Sequence, residues 1–267
     1  MKDYKAIFDG IESTLFEVGS RTVPREQIQA ELESCKHLEG KRFTDDEYFT
    51  LLVRIIFYAG FKAQIVTDKL AVIGRHFPNY NIVADYGGQE IQAILNDSEM
   101  IRNRRKIQAC ITNAKTFRSI ISKHGSFQNF IDSFAATTSE ANLIRLREDL
   151  QWRLAYLGDI TVYHFLTDIG MPVLKPDRVI VRVFTRLGLV ENNANPIAFI
   201  EEGKKFAQAT GLPIRYIDIV FVAYGQVQTK ELGLERGICL ESNPSCSVCG
   251  VSKYCDYYAR HHQKTTT

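Results

Sequence analysis

Four of the six cysteines, Cys239, Cys246, Cys249 and Cys255, fall within 17 residues near the carboxy terminus, spaced C-x6-C-x2-C-x5-C. Thiols this dense force the backbone into a short loop that is either cross-linked or wrapped around a shared metal. A disulfide framework does not suit a chain of 267 residues, which is far longer than stapled mini-domains. Nor do Lys2, Asp3, Lys5, Asp9, Glu12 and Glu17 read as a secretory leader. A shared metal is the better reading. Structural zinc takes two short knuckles, but here only Cys246 and Cys249 form one. Cys239 and Cys255 reach in from either side, as one loop around a [4Fe–4S] cubane would require. Cys35 and Cys110 read as reduced, buried small hydrophobes.

The rest of the composition excludes more than it assigns. With 45% hydrophobic and 24% charged residues, the chain is an ordinary folded one. No apolar run approaches the roughly 18 residues of a membrane span, and a cytoplasmic, nucleoid-associated monomer is expected. A net charge of only +2 makes no case for nucleic acid, so any such contact must come from local patches.

Hydrophobic spacing predicts helices throughout, over 2–18, 24–38, 48–58, 62–77, 88–97, 101–123, 127–134 and 138–150. Thr44-Asp45-Asp46-Glu47 reads as a capping box opening an apolar, buried helix in which Arg54 is the exception. Period-two alternation is almost absent, so the fold class is all-α. No repeat or flexible linker interrupts the chain before 264–267.

Three further stretches carry chemistry. Arg102, Arg104, Arg105 and Lys106 give one end of a helix a basic face, either solvated or contacting phosphates. The turn at Leu157, Gly158 and Asp159, followed by a helix from Ile160 and Thr161, presents backbone amides of the kind that bind phosphate without reading sequence. Asp177, after the loop containing Pro172 and Pro176, stands at the start of an amphipathic helix, where its plain role is an N-cap.

The cysteine spacing closely resembles the carboxy-terminal cluster loop of endonuclease III-type DNA glycosylases of the helix-hairpin-helix superfamily. Residues 99–118, with Arg-Asn-x-x-Lys-Ile and Asn-Ala, are similar to the 3-methyladenine DNA glycosylase I branch of that superfamily. In helix-hairpin-helix glycosylases the hairpin Leu-Pro-Gly-Val-Gly-x-Lys-Thr-Ala precedes Val-Asp-Thr-His-Val-x-Arg-Val by about eighteen residues. Here 154–162 stands in the first place and Pro176-Asp177-Arg-Val-Ile-Val-Arg182-Val in the second. The resemblance, over 45–258, implies two lobes, one formed by 45–172 and ending in the hairpin. The other combines 1–44 with 173–267 and the cluster loop 239–255, with the active site in the cleft between them. It makes Asp177 the catalytic carboxylate, Met100, Ile101, Arg102 and Asn103 a wedge entering DNA, and Arg105 and Lys106 phosphate contacts. The partner it implies is double-stranded DNA containing a damaged base.

Two departures from the pattern bear on mechanism. The hairpin lacks Gly-Val-Gly, and Ile160 occupies the place of the lysine that lyase-type members use as nucleophile. An alkyl side chain cannot form a Schiff base, so the expected enzyme is monofunctional. Aromatic residues that could receive a flipped base are Phe57, Tyr58, Phe61, Trp152, Tyr156 and Tyr163. An electron-rich pocket of this kind suits an alkylated purine that is already cationic. The pocket glutamate of 3-methyladenine DNA glycosylase I has no counterpart in Ile55-Ile-Phe-Tyr-Ala-Gly60, and its zinc site of terminal Cys and His residues is also absent. Excision of adenine or another lesion, a non-catalytic DNA-binding module, and a zinc-loop scaffold are the alternatives.

Overall fold

The computed structural model describes residues 2–191 and 193–262; the tail at 264–267 lies outside them. Two helices, α1 (Tyr4–Gly19) and α2 (Arg25–Glu33), open the chain. There follow α3 (Asp45–Tyr58), α4 (Ala63–Thr67), α5 (Leu70–His76), α6 (Tyr80–Ala84), α7 (Gly88–Asn96), α8 (Arg104–His124), α9 (Phe127–Asp132), α10 (Glu140–Arg153) and α11 (Thr161–Asp168). The last four are α12 (Arg178–Arg186), α13 (Pro196–Thr210), α14 (Ile214–Gly225) and α15 (Asp256–His262). Among the described residues there is no β-strand, only an isolated bridge between Thr229 and Leu234. The fold is all-α. The chain divides into a terminal unit, Met1–Gly40 with Pro172–Thr267, and a central unit, Lys41–Met171.

In the central unit, α3 starts as its sequence dictates. The Thr44 hydroxyl accepts from the Glu47 amide at 3.2 Å, and the Glu47 carboxylate accepts from the Thr44 amide at 2.7 Å. Two otherwise orphaned donors are thus satisfied reciprocally. Half of the helix is buried, while Arg54 is exposed and Leu51 half-buried. Phe117 of α8 stacks on Phe127 at 4.1 Å between centroids, and Phe49 of α3 meets Phe117 edge-on at 5.6 Å.

Two expected helices differ. The stretch 62–77 is two helices, broken after Thr67, whose hydroxyl donates back to the Ala63 carbonyl at 3.1 Å. That hydroxyl competes for a carbonyl of the helical ladder, while the Asp68 side chain accepts from Gln64 one turn back. The helix expected from 101 begins at Arg104, because the Asn103 side chain caps it by accepting from the Lys106 amide.

In the terminal unit, α12 packs against α14 and α1 against α13 and α14. Phe184, Phe206 and Phe221 interlock edge to face at the centre of that core. The α12–α14 approach depends on Gly225, where a Cβ would lie 2.5 Å from Val179. Cys110 is fully buried, as expected, and burial raises its thiol pKa. Cys35 is only half-buried, on a short 3-10 turn after α2, which corrects the expectation for that thiol.

Replacing Thr44 by Ala removes one half of the reciprocal cap. It should lower stability by about 1 kcal/mol, read as an earlier midpoint in urea unfolding without a change in slope.

Candidate active site

Asp177 sits where Pro176 ends the loop and α12 begins. One oxygen of its carboxylate accepts from the amides of Val179 at 2.8 Å and Ile180 at 3.1 Å. The other lies 3.1 Å from the ammonium of Lys175. The amides fix the orientation of the carboxylate. The loop beneath is anchored by Asp218 of α14, which is buried, accepts from the Lys175 amide at 2.9 Å and pairs with Arg215 at 2.8 Å. Burial raises the pKa of Asp218, and the Arg215 and Lys175 charges oppose that rise. Neither Lys175 nor Asp218 was singled out in the sequence. Lys175 was visible only as a charge beside a proline, and Asp218 as one acid in an apolar helix.

The same helix reaches the cysteines. Arg186 lies nine residues beyond Asp177, about 13 Å along a helix. It donates to the sulfur of Cys239 at 3.4 Å and to the Leu240 carbonyl at 2.6 Å, while Arg182 donates to the Cys239 carbonyl at 3.0 Å. Tyr224, buried in α14, donates its hydroxyl proton to the sulfur of Cys249 at 3.0 Å, and the Tyr258 amide donates to Cys255 at 3.4 Å. Cys239, Cys246, Cys249 and Cys255 line one cavity, closed on its other sides by Arg186, Tyr257 and Tyr258. Burial raises the pKa of Cys239, Cys246 and Cys255; at Cys239 the guanidiniums of Arg186 and Arg182 counter it. N–H and O–H donors aimed at sulfur are the surroundings a thiolate-held group requires. Among the described residues no three His, Cys, Asp or Glu side chains gather tightly enough to hold a metal ion; the four sulfurs ring the cavity. Helix α1 braces the loop, since Thr14 accepts from the Gly250 amide at 3.1 Å.

In the central unit, α10, the turn and α11 form the helical hairpin. The turn is pinned from inside by Asn113 of α8, fully buried, whose side chain donates to the Ala155 carbonyl at 3.0 Å and accepts from the Ala155 amide at 2.8 Å. Thr161 closes it by accepting from the Gly158 amide at 2.7 Å and donating to the Tyr156 carbonyl at 2.6 Å. Leu157 is buried beneath, leaving Gly158, Asp159 and Ile160 exposed and Thr161 half-buried. Asn113 belongs to the Asn-Ala pair quoted above, but its structural task was not foreseen.

The basic stretch separates on burial. Arg102, Arg104 and Arg105 are exposed, and Ile101 and Asn103 are intermediate. Met100 is 4% exposed, and so belongs to the core in this conformation and not to a protruding wedge. Lys106 points inward and donates to the carbonyls of Ile56 and Ala59, the latter at 2.6 Å. That arrangement removes it from the phosphate contacts: helix α8 places residue 106 on the face that carries Ile107 and Cys110.

The six aromatic candidates also divide. Phe57 packs on Phe77 in the core, and buried Tyr163 accepts from Arg147. The Tyr58 hydroxyl shares a hydrogen bond with Thr67, and Trp152 is 79% exposed with Arg153 against its ring. Of the six, Phe61 and Tyr156 come together, each with its ring against the same cation, Lys106.

The fold is that of the helix-hairpin-helix DNA glycosylases. The chain aligns with a trapped endonuclease III–DNA covalent intermediate over 88% of its own length and 93% of that chain, at 14% identity and a TM-score of 0.55. The 8-oxoguanine DNA glycosylase of Thermotoga maritima aligns over 80% and 95%, at 17% identity and a TM-score of 0.52. The 3-methyladenine DNA glycosylase I of Staphylococcus aureus aligns over 52% and 84%, at 23% identity and a TM-score of 0.44. Residues 40–175 match the family model for methyladenine glycosylase. The chain belongs to the methyladenine glycosylase family, and it is a DNA N-glycosylase. No helix among the described residues is long and apolar enough to cross a membrane.

Because Asn also caps helices well, Asp177→Asn should unfold within about 0.5 kcal/mol of wild type, whereas Asp177→Ala should lose about 1 kcal/mol. Chemical denaturation of the two variants side by side checks this.

Proposed function

We propose that the protein excises an alkylated purine from duplex DNA by hydrolysis, with Asp177 as the catalytic carboxylate. The observation that carries this reading is the setting of Asp177, held by two helix amides next to the Lys175 ammonium. As the glycosidic bond of a flipped nucleotide lengthens, positive charge grows on the sugar. A preoriented carboxylate stabilises that charge without reorganising, and its second oxygen, once released by Lys175, can take a proton from the attacking water. The base departs and the sugar gains hydroxyl at C1′. With Ile160 in the hairpin, no amine stands there to form a Schiff base, so the strand stays intact. The exposed turn at Gly158, Asp159, Ile160 and Thr161 and the cations Arg102 and Arg105 would contact DNA phosphates.

The four cysteines fit a [4Fe–4S] cluster. They line one cavity, and Arg186, Tyr224 and the Tyr258 amide donate towards their sulfurs. When bound, such a group cross-links 239–255 and supplies structure without an obligatory redox step. Arg182 and Arg186 tie that loop to the helix that bears Asp177.

Base release from duplexes carrying 3-methyladenine, 7-methylguanine, hypoxanthine or adenine opposite 8-oxoguanine tests the activity. Wild type should release an alkylated purine without cutting the strand, and Asp177→Asn should lower the rate by a factor of about a hundred or more. Release by Asp177→Asn at the wild-type rate would sink the assignment. DNA affinity without any base release would point to a binding module. Freshly purified protein should carry iron and sulfide with broad visible absorption, weakened in Cys249→Ser; a colourless protein rich in zinc would refute the cluster.

A further inference from the structure

Lys175 stands between two acids and engages both. Its ammonium lies 3.1 Å from the Asp177 carboxylate, and its carbonyl accepts from the Asp177 amide at 2.8 Å. Its own amide donates to one oxygen of Asp218 at 2.9 Å, and the other Asp218 oxygen pairs with Arg215 at 2.8 Å. Asp218 is 1% exposed and follows buried Ile217 in α14. A buried carboxylate is costly even when paired, so packing alone would favour an apolar side chain there. What the carboxylate adds is an acceptor for the peptide that leads into Asp177. Burial raises the pKa of Asp218; the Arg215 and Lys175 charges oppose that rise and the Asp177 charge adds to it, which marks the two acids as electrostatic neighbours.

Helix α13 provides a second, independent observation. Gly203 lies in its interior, where glycine is disfavoured, and a Cβ there would fall 2.3 Å from Leu174. Val173 and Leu174 are fully buried. The segment before Asp177 is therefore seated twice, by the Leu174 side chain at Gly203 and by the Lys175 amide at Asp218.

We propose that Asp218 is a positioning residue for base excision, acting on Asp177 through the backbone of Lys175. This rests on the reading that Asp177 is the catalytic carboxylate. The amides of Val179 and Ile180 fix that carboxylate only relative to its own helix, α12. Asp218 fixes the peptide on the other side of Asp177 to α14. The carboxylate is thereby referred to the core of the terminal unit and not to one helix alone. Such precision matters because a misplacement of about 1 Å at a reacting centre costs rate steeply. Arg215 neutralises the buried acid, and Asp218 needs no contact with the sugar to exert its effect.

The test is single-turnover base release from duplexes carrying 3-methyladenine or 7-methylguanine, with affinity measured separately on a duplex holding a tetrahydrofuran abasic analogue. Two double variants remove the Asp218–Arg215 pair together, so neither strands a buried charge. Asp218→Asn/Arg215→Gln keeps an acceptor for the Lys175 amide and should release base within about threefold of the wild-type rate. Asp218→Ala/Arg215→Gln lacks that acceptor and should be slower by about tenfold or more, with affinity for the analogue unchanged in both. When Asp177→Asn is added to each, the gap between them should shrink to about twofold or less, because a group that acts through Asp177 has nothing left to position. An absent gap, a gap that persists in full with Asp177→Asn, or a loss of affinity matching the loss of rate would overturn the proposal. If the alanine variant does not fold, Gly203→Ala decides: its methyl displaces Leu174 in the same segment, and a wild-type release rate there refutes the positioning role. Failure of wild type to release either base, or release by Asp177→Asn at the wild-type rate, would instead strike the reading of the reaction, and this inference with it.

Discussion

The terminal unit depends on the way helix α12 is held at both ends. Asp177 satisfies the amides of its first turn, and the guanidiniums of Arg182 and Arg186 satisfy carbonyls of the cysteine loop along its length. A short helix left alone is marginal in water. Fixed at its start by a carboxylate and along its side by two forked cations, α12 becomes a rigid strut. Gly225 lets α14 close against it, which brings Tyr224 to the sulfur of Cys249. The carboxylate and the thiols therefore share one support, and a disturbance of the loop would reach Asp177 through the helix.

In the central unit, the comparable element is α8. One face carries Ile107, Cys110, Ala114 and Phe117 into the core, and Asn113 on that face holds the hairpin turn through the backbone of Ala155. Lys106 lies one turn before Cys110 and ties α8 to the end of α3. Of a stretch that reads as basic surface in the sequence, Lys106 thus works inside the fold, while Arg102, Arg104 and Arg105 stay exposed.

The all-helical class was legible because apolar spacing and caps agreed at nearly every element; the Thr44–Glu47 box is the clearest instance. Boundaries slipped where side chains bonded locally to backbone, at Thr67 and Asn103. The convergence of the cysteines on one cavity was legible from spacing alone. What stayed hidden was side-chain direction. Charge type predicted solvent for Lys106, aromatic type predicted a shared pocket for six rings, and neither signal encodes which way a helical residue points. Asp218 was hidden for another reason, because packing brings it to the Lys175 amide across 43 residues of sequence.

The bracing of the cysteine loop by Thr14 has a consequence for how the protein is made. Helix α1 leaves the ribosome well before its packing partners α13 and α14 and before the Gly250 amide from which Thr14 accepts. The central unit lies between them in sequence and has its own complete core, so it can fold while the terminal unit waits. Throughout that interval Ile7, Phe8, Ile11 and Leu15, all fully buried in the finished protein, have no core to enter. Closing so long a loop is slow, which leaves nascent α1 in need of protection from aggregation.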